Sequence, residues 1–338
     1  MKLFQYAFLF SAISAVTACG GSSDTVDTKE QQAGLISIAL SDSPMAGVSA
    51  VQLQLGQLMM TDANNVEHSY SLNNMTINML DYQGKASINV VDSLQIPAGQ
   101  YHNVYMTVVQ GDGNNGCYVD DGQGRHALTV EDGVLPMQNF TMLNAENHTY
   151  TMEVNLYQGL HYGQQYGYQL AQDGLRTVNN LHMGHMLGDV DPQWIASCEA
   201  ANPDAVAANG SFIHLAYIYP AASVTDISQM GDVYASPAAG MTAPMAVAPI
   251  HLDDDGNWYF GMGYLPEGEY RVGYSCSGNL DDPLTDDTSS GQFNMFADAG
   301  TVTIVAGATG GTDTYVQCGM MGTGNGHWGG MGMGMGGG

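Results

Sequence analysis

Val51-Gln52-Leu53-Gln54-Leu55 alternates strictly between apolar and polar side chains, and Gly56-Gln57-Leu58 carries the alternation on. Successive side chains of a strand point to opposite faces, so this stretch reads as a β-strand with one buried and one wet face. Outward from it, Leu35-Ile36-Ser37-Ile38-Ala39-Leu40 and the segments 101–109 and 149–156 repeat the period-2 pattern. Gly-Asp-Asn clusters stand between them, among them Gly111-Asp112-Gly113-Asn114-Asn115-Gly116, as turn chemistry requires. Long helical periodicity is absent. Short strands separated by such turns predict an all-β sandwich.

A second β set follows a loop that opens with Asp191-Pro192 and is rich in Ala, Asn and Pro from 198 to 210. Its strands are read at 212–219, Trp258-Tyr259-Phe260, Tyr270-Arg271-Val272-Gly273-Tyr274, 301–305 and 314–316. From Gly319 onward the chain is Gly and Met, which cannot build a core, so a disordered tail is expected.

Composition limits the function. The 338 residues hold 33 acids and 6 Lys or Arg, a formal charge of −27. Nucleic-acid binding needs clustered cations, so it is excluded as a main activity. Hydrophobic residues at 44% suffice for real cores, which argues against wholesale disorder.

The first residues read as an address. Met1-Lys2 gives a positive start, residues 3–16 are mostly apolar, and Val16-Thr17-Ala18-Cys19 follows. The run is shorter than the ~20 residues a membrane helix needs, and it ends in small residues, as a secretory signal does. Cys after Val-x-Ala resembles the bacterial lipobox. The resemblance implies cleavage before Cys19 and acylation of that residue. Gly20 is not Asp, so the inner-membrane retention signal is missing and the outer membrane is expected. Gly20-Gly21-Ser22-Ser23 makes a flexible tether. No later segment is long and apolar enough to span a bilayer. Cleavage removes Lys2 and no acid, leaving five cations against 33 acids, or −28, so the expected membrane partner is reached through lipid.

Beyond Cys19 there remain Cys117, Cys198, Cys276 and Cys318. Four thiols in an oxidising compartment predict two disulfides, with three connectivities open.

Four pieces in order resemble the bacterial family known as domain of unknown function 4382. Gly34 to Pro44 matches its opening strand and Ser-Asp-x-Pro turn, and Thr76-Ile77-Asn78-Met79-Leu80-Asp81 its Leu-Leu-Asp strand. Ile96-Pro97-Ala98-Gly99-Gln100-Tyr101 matches its Pro-Ala-Gly-x-Tyr turn, and Gly174-Leu175-Arg176-Thr177-Val178-Asn179-Asn180 a stretch near its end. In the second half, Asp254-Asp255-Gly256-Asn257-Trp258-Tyr259-Phe260 and Leu265-Pro266-Glu267-Gly268-Glu269-Tyr270 are similar to carboxypeptidase-regulatory-like and collagen-adhesin B-type modules. Those are prealbumin-like sandwiches, usually spacers or binding platforms without catalytic residues. The resemblance implies a Cys198–Cys276 staple with Cys117 left to Cys318; the sequential set Cys117–Cys198 and Cys276–Cys318 stays open beside it.

The expected organisation is therefore two tandem β-sandwich domains, immunoglobulin- or prealbumin-like. A lipoprotein signal peptide spans 1–18 and a lipidated tether 19–33. The first sandwich spans 34–190, a linker 191–210, the second sandwich 211–318, and the Gly/Met-rich tail 319–338.

Two clusters carry candidate chemistry. His182-Met183-Gly184-His185-Met186 is dense in soft ligands, and imidazole with thioether suits copper, Cu(I) above all. The tail adds Met320, Met321, His327, Met331, Met333 and Met335. Against this, Met fills cores, and on a strand His182 and His185 point to opposite faces. Hard calcium takes oxygen ligands from loops such as Asp253-Asp254-Asp255, or the loop holding Asp112, Asn114, Asp120 and Asp121. The run Asp281, Asp282, Asp286 and Asp287 reads as solvated. Asp and Asn also serve hairpin turns for backbone reasons.

Catalytic motifs are missing: no Gly-x-Ser-x-Gly elbow, P-loop, Rossmann glycine set or His-Glu-x-x-His occurs. The sequence thus reads as a non-catalytic envelope lipoprotein that binds a protein, glycan or envelope component, or serves a structural role. Nineteen Tyr and three Trp supply contact surface. The alternative is a metal-binding lipoprotein using calcium or copper.

Overall fold

A computed structural model of the chain describes residues 32–43, 48–163, 167–207, 210–307 and 311–319. Cys19, its tether and the Met and His residues of the tail lie outside them. In chain order the first half runs β1 (Ala33–Ser43), β2 (Ala50–Asp62), β3 (Glu67–Asn78), β4 (Ile88–Pro97), β5 (Gly99–Val108), β6 (Tyr118–Asp120) and β7 (Arg125–Val130). It continues with β8 (Val134–Pro136), β9 (Phe140–Met142), β10 (Asn147–Asn155), β11 (Leu160–Gly163), β12 (Gly167–Leu170) and β13 (Leu175–Asn179). One sheet has the order β13-β10-β1-β4, with β1 parallel to β10 and antiparallel to β4. The larger sheet follows β11-β12-β7-β6-β2-β5-β8, with β3 added on β2 and β9 on β5.

The alternation that opened the sequence is the one that builds this core. Val51, Leu53 and Leu55 of β2 point inward and are fully buried, whereas Gln52 and Gln54 are not. They meet Ile36, Ile38 and Leu40 of β1 and Met152 and Val154 of β10 between the two sheets. Each such side chain stabilises the fold by about 1.5–3 kcal/mol.

The second half runs β14 (Met183–Val190), β15 (Leu215–Pro220), β16 (Ala246–Pro249), β17 (His251–Leu252), β18 (Trp258–Pro266), β19 (Gly268–Ser275), β20 (Ala297–Ile304) and β21 (Asp313–Cys318). Two sheets, β17-β18-β14-β21 and β16-β15-β19-β20, enclose a second core around Phe260, Val272 and Tyr274. The all-β sandwich expectation holds. Both halves also share a corner. Tyr101 donates its hydroxyl to the Pro97 carbonyl at 2.9 Å, and Tyr270 does the same to Pro266 at 2.8 Å. Gly99 and Gly268 at these corners have φ of 158° and 154°, a region side chains disfavour.

The halves divide earlier than the sequence indicated. β14 was read within the first sandwich, ending at 190, yet it pairs antiparallel with β18 and parallel with β21. Its parallel partner lies far along the chain and leaves no local trace. The expected linker 191–210 contains a helix, α2 (Pro192–Ala201), rather than loop alone. Asp191 caps it by accepting from the Gln193 N–H at 2.8 Å, and Pro192 occupies its first turn. Cys198 on this helix is disulfide-bonded to Cys276.

The halves are fastened together. Arg176 of β13 pairs with the buried carboxylate of Glu153, and its other N–H groups reach the carbonyls of Met245 and Tyr264, at 3.2 and 3.3 Å. At Gly263 an added Cβ would lie 2.1 Å from the Gly84 carbonyl oxygen, so only glycine permits that approach. Tyr157, on the single turn α1 (Leu156–Gly159), joins Tyr217 and Phe293 in a third apolar cluster. From Gln32 onward the chain forms one unit.

Candidate functional site

β14 and β18 slip out of even register. Gly184 pairs with Leu265 and Met186 with Met262, so His185 stands opposite a bulge at Gly263 and Tyr264. Bulges re-aim side chains and backbone groups. Here the Tyr264 N–H donates to His185 Nδ1 at 3.2 Å. Tyr264 has φ 50°, a conformation that costs a bulky residue about 1–3 kcal/mol. Its surroundings hold it there. Its carbonyl accepts from Arg176, its hydroxyl donates to the Lys85 carbonyl at 3.0 Å, and its ring stands edge-on to His185 at 5.2 Å. Burial raises the Tyr264 hydroxyl above the ordinary phenol range, with the Ser87 side chain opposing the rise.

Beside this strained residue lies a cleft of about 550 Å³ between the halves. The first half contributes Lys85 and Ser87 from the segment before β4, and Asn180 from the turn after β13. Met183, His185, Tyr264, Gly311 and Asp313 complete it from the second. Lys85 Nζ donates to Asp313 Oδ2 at 2.8 Å. So exposed a pair contributes little to stability, but it cancels charge within the cleft. Asn180 Oδ1 is buried without a hydrogen-bond partner, a state that native structures seldom leave unexplained. Gly311 packs directly against the floor, because a Cβ there would lie 2.8 Å from His185 Nε2 and 3.0 Å from Met183 Sδ.

The soft-ligand cluster is split by this arrangement. Met183 and His185 line the cleft, Met186 sits in the second core, and His182 is exposed and faces Glu267 at 3.1 Å. His185 Nδ1 spends its lone pair on Tyr264, which leaves the proton on Nε2; a ring bound that way offers no lone pair to a metal. Asp253 accepts from the N–H groups of Asp255 and Asn257 at 2.9 and 2.8 Å, and Asp254 and Asp255 are exposed. Asp112 serves Asn114 and Asn115 in the same way. Among the described residues no three His, Cys, Asp or Glu side chains gather as a metal ion requires.

Of the four candidate cysteines, Cys198 and Cys276 form the one disulfide among the described residues, while Cys117 and Cys318 are free and buried. The second disulfide expected, by either pairing, is therefore corrected. Cys117 lies in the first core and Cys318 in the second, too far into separate interiors to meet. Burial, with Asp189 adding to it, pushes the Cys318 thiol up to about 12, so it stays protonated. The run Asp281 to Asp287 also departs from its reading as solvated, for Asp281 and Asp287 are buried. Lys85, Ser87, Asn180, Tyr264, Gly311 and Asp313 were not singled out from sequence. They come from four separated segments, and only the Gly263-Tyr264 break in the β18 alternation marks the place locally.

No curated protein matches the chain. Among solved structures it is similar to a proposed carbohydrate-binding protein of Pseudomonas aeruginosa, at 14% identity over 41% of this chain and 91% of that one, TM-score 0.17. It is also similar to a proposed adhesin of Bacteroides ovatus, at 8% identity over 92% and 100% of the two chains, TM-score 0.17. A proposed cell-adhesion protein of Bacteroides fragilis shares 11% identity over 84% and 92%, TM-score 0.19. Scores this low carry no argument about ligand or activity. The resemblance expected over 34–190 has firmer support: residues 33–171 match the family model described as Domain of unknown function (DUF4382).

Proposed function

We propose that this chain is an exported envelope lipoprotein, acylated at Cys19 and held at the outer membrane, that binds a ligand without transforming it. The observation that carries binding is the state of the cleft. Its acid–base side chains are spent on the fold, since His185 accepts a backbone N–H, Tyr264 donates to a carbonyl and Lys85 neutralises Asp313. One buried acceptor, Asn180 Oδ1, is left for something else to satisfy. Export is supported by the Cys198–Cys276 disulfide, because cytosolic thiols are kept reduced. The second half then serves as a prealbumin-like platform completing the cleft.

Metabolic labelling with alkyne-palmitate tests the anchor. The wild-type chain is expected to carry label in the membrane fraction, and Cys19→Ser to lose the label and leave that fraction. A wild-type chain without label, or one retained in the cytosol, overturns the reading.

A further inference from the structure

We infer that the cleft between the halves takes a neutral sugar of one or two rings, an inference that rests on the cleft being the binding site. Charge is the first reason. The chain is strongly acidic, yet Lys85 and Asp313 hold each other at 2.8 Å and leave the cleft balanced. An anion at Lys85 meets the repulsion of Asp313 beside it, and a cation at Asp313 meets that of Lys85. Two neighbouring ring hydroxyls avoid both costs, because one accepts from Lys85 Nζ while the other donates to Asp313.

Asn180 Oδ1 is the second reason. It is an acceptor without a partner, so the ligand must bring a donor there; a hydroxyl does so, an ether or carbonyl oxygen does not. The third is the floor. Met183 and Tyr264, members of one small buried apolar cluster, make the cleft wall apolar on one side, as the C–H face of a sugar requires. His185 adds no metal to the recognition, since its Nδ1 lone pair is taken. A cleft of about 550 Å³ is within the range that holds a small ligand.

The test presents the full chain to an array of neutral and acidic glycans, with N-acetyl-trialanine amide as a neutral peptide probe, and titrates binders by calorimetry. At least one neutral glycan is expected to bind. Asn180→Leu and Asp313→Asn should each weaken it about ten-fold, with unchanged melting temperature as the folding control. Glu67→Gln, on a separate groove of about 470 Å³ in the first half, should leave binding unchanged. Binding of acidic glycans alone, or neutral-glycan binding that ignores both cleft substitutions, overturns the assignment. If only the peptide binds, and Asn180→Leu abolishes it, the sugar falls and the cleft stands. If neither probe responds to the cleft substitutions, both fall, whatever the palmitate labelling shows of the anchor.

Discussion

Asp253-Asp254-Asp255 and the run from Asp281 to Asp287 have similar compositions and occupy turns of the same half. The first tips the hairpin between β17 and β18. Asp253 folds back on its own turn and accepts two backbone N–H groups, while Asp254 and Asp255 stand in water. The second lies under the long excursion between β15 and β16. Asp281 accepts from the Tyr217 hydroxyl at 2.6 Å and from Val233 N at 3.1 Å, and Asp286 accepts from Ala238 N at 3.0 Å. Asp232, fully buried on the excursion, reaches back to Thr288 N at 2.6 Å and holds Tyr234 N at 3.1 Å. Burial pushes Asp281 up to about 7; the hydrogen bonds from Tyr217 and Val233 pull it down, and Asp232 and Asp287 push it further up. A turn carboxylate is solvating where its own turn is its only neighbour, and it becomes cement where a second segment closes over it.

Four substitutions separate the two cases. The largest effect is a pH dependence. Asp281 titrates near 7 in the fold and near 3.8 unfolded, so the protonated form favours the fold. That stabilisation is complete below pH 3.8 and is lost as the pH rises through 7. Relative to Asp281→Asn, the unfolding free energy of the wild type should fall by about 3 kcal/mol between pH 5 and pH 8, at 1.36 kcal/mol per pH unit. Urea titrations at both pH values measure it, and a constant difference would sink the idea. Next comes Asp232→Ala, which strands two N–H groups under the excursion and should cost about 2 kcal/mol. A urea midpoint equal to wild type would show that the excursion is not held this way. Asp253→Ala loosens one exposed turn, for about 1 kcal/mol in the same assay. Asp254→Asn should stay within about 0.5 kcal/mol; a larger loss would mean that the exposed turn does more than solvate.

How much of this was legible depends on the reach of each contact. The strict alternation of Val51 to Leu55 placed β2 and its buried face, because a strand's faces are written at period two. The Pro-x-Gly-x-Tyr corners were equally local. Asp191-Pro192 was also local, but it was read as a loop when it is a helix cap followed by a first-turn proline. β14 escaped because its neighbours β18 and β21 lie far downstream. The splitting of the His182–Met186 cluster was hidden for the same reason, since a bulge on another strand decides which way His185 faces. The cleft gathers four segments, and no spacing along the chain encodes such a gathering. The burial of Asp281 likewise depends on an excursion whose path has no periodic signature.

The parallel pairing of β1 with β10 has a mechanical side. β1 begins at Ala33, the end nearest Cys19, and runs beside β10 toward Asn155, where Arg176 and Met245 join the halves. Were the chain held near Ala33 and loaded beyond Asn155, tension would run lengthwise along both strands, and the hydrogen bonds between β1 and β10 would lie across the pull and share it in shear rather than unzip one at a time.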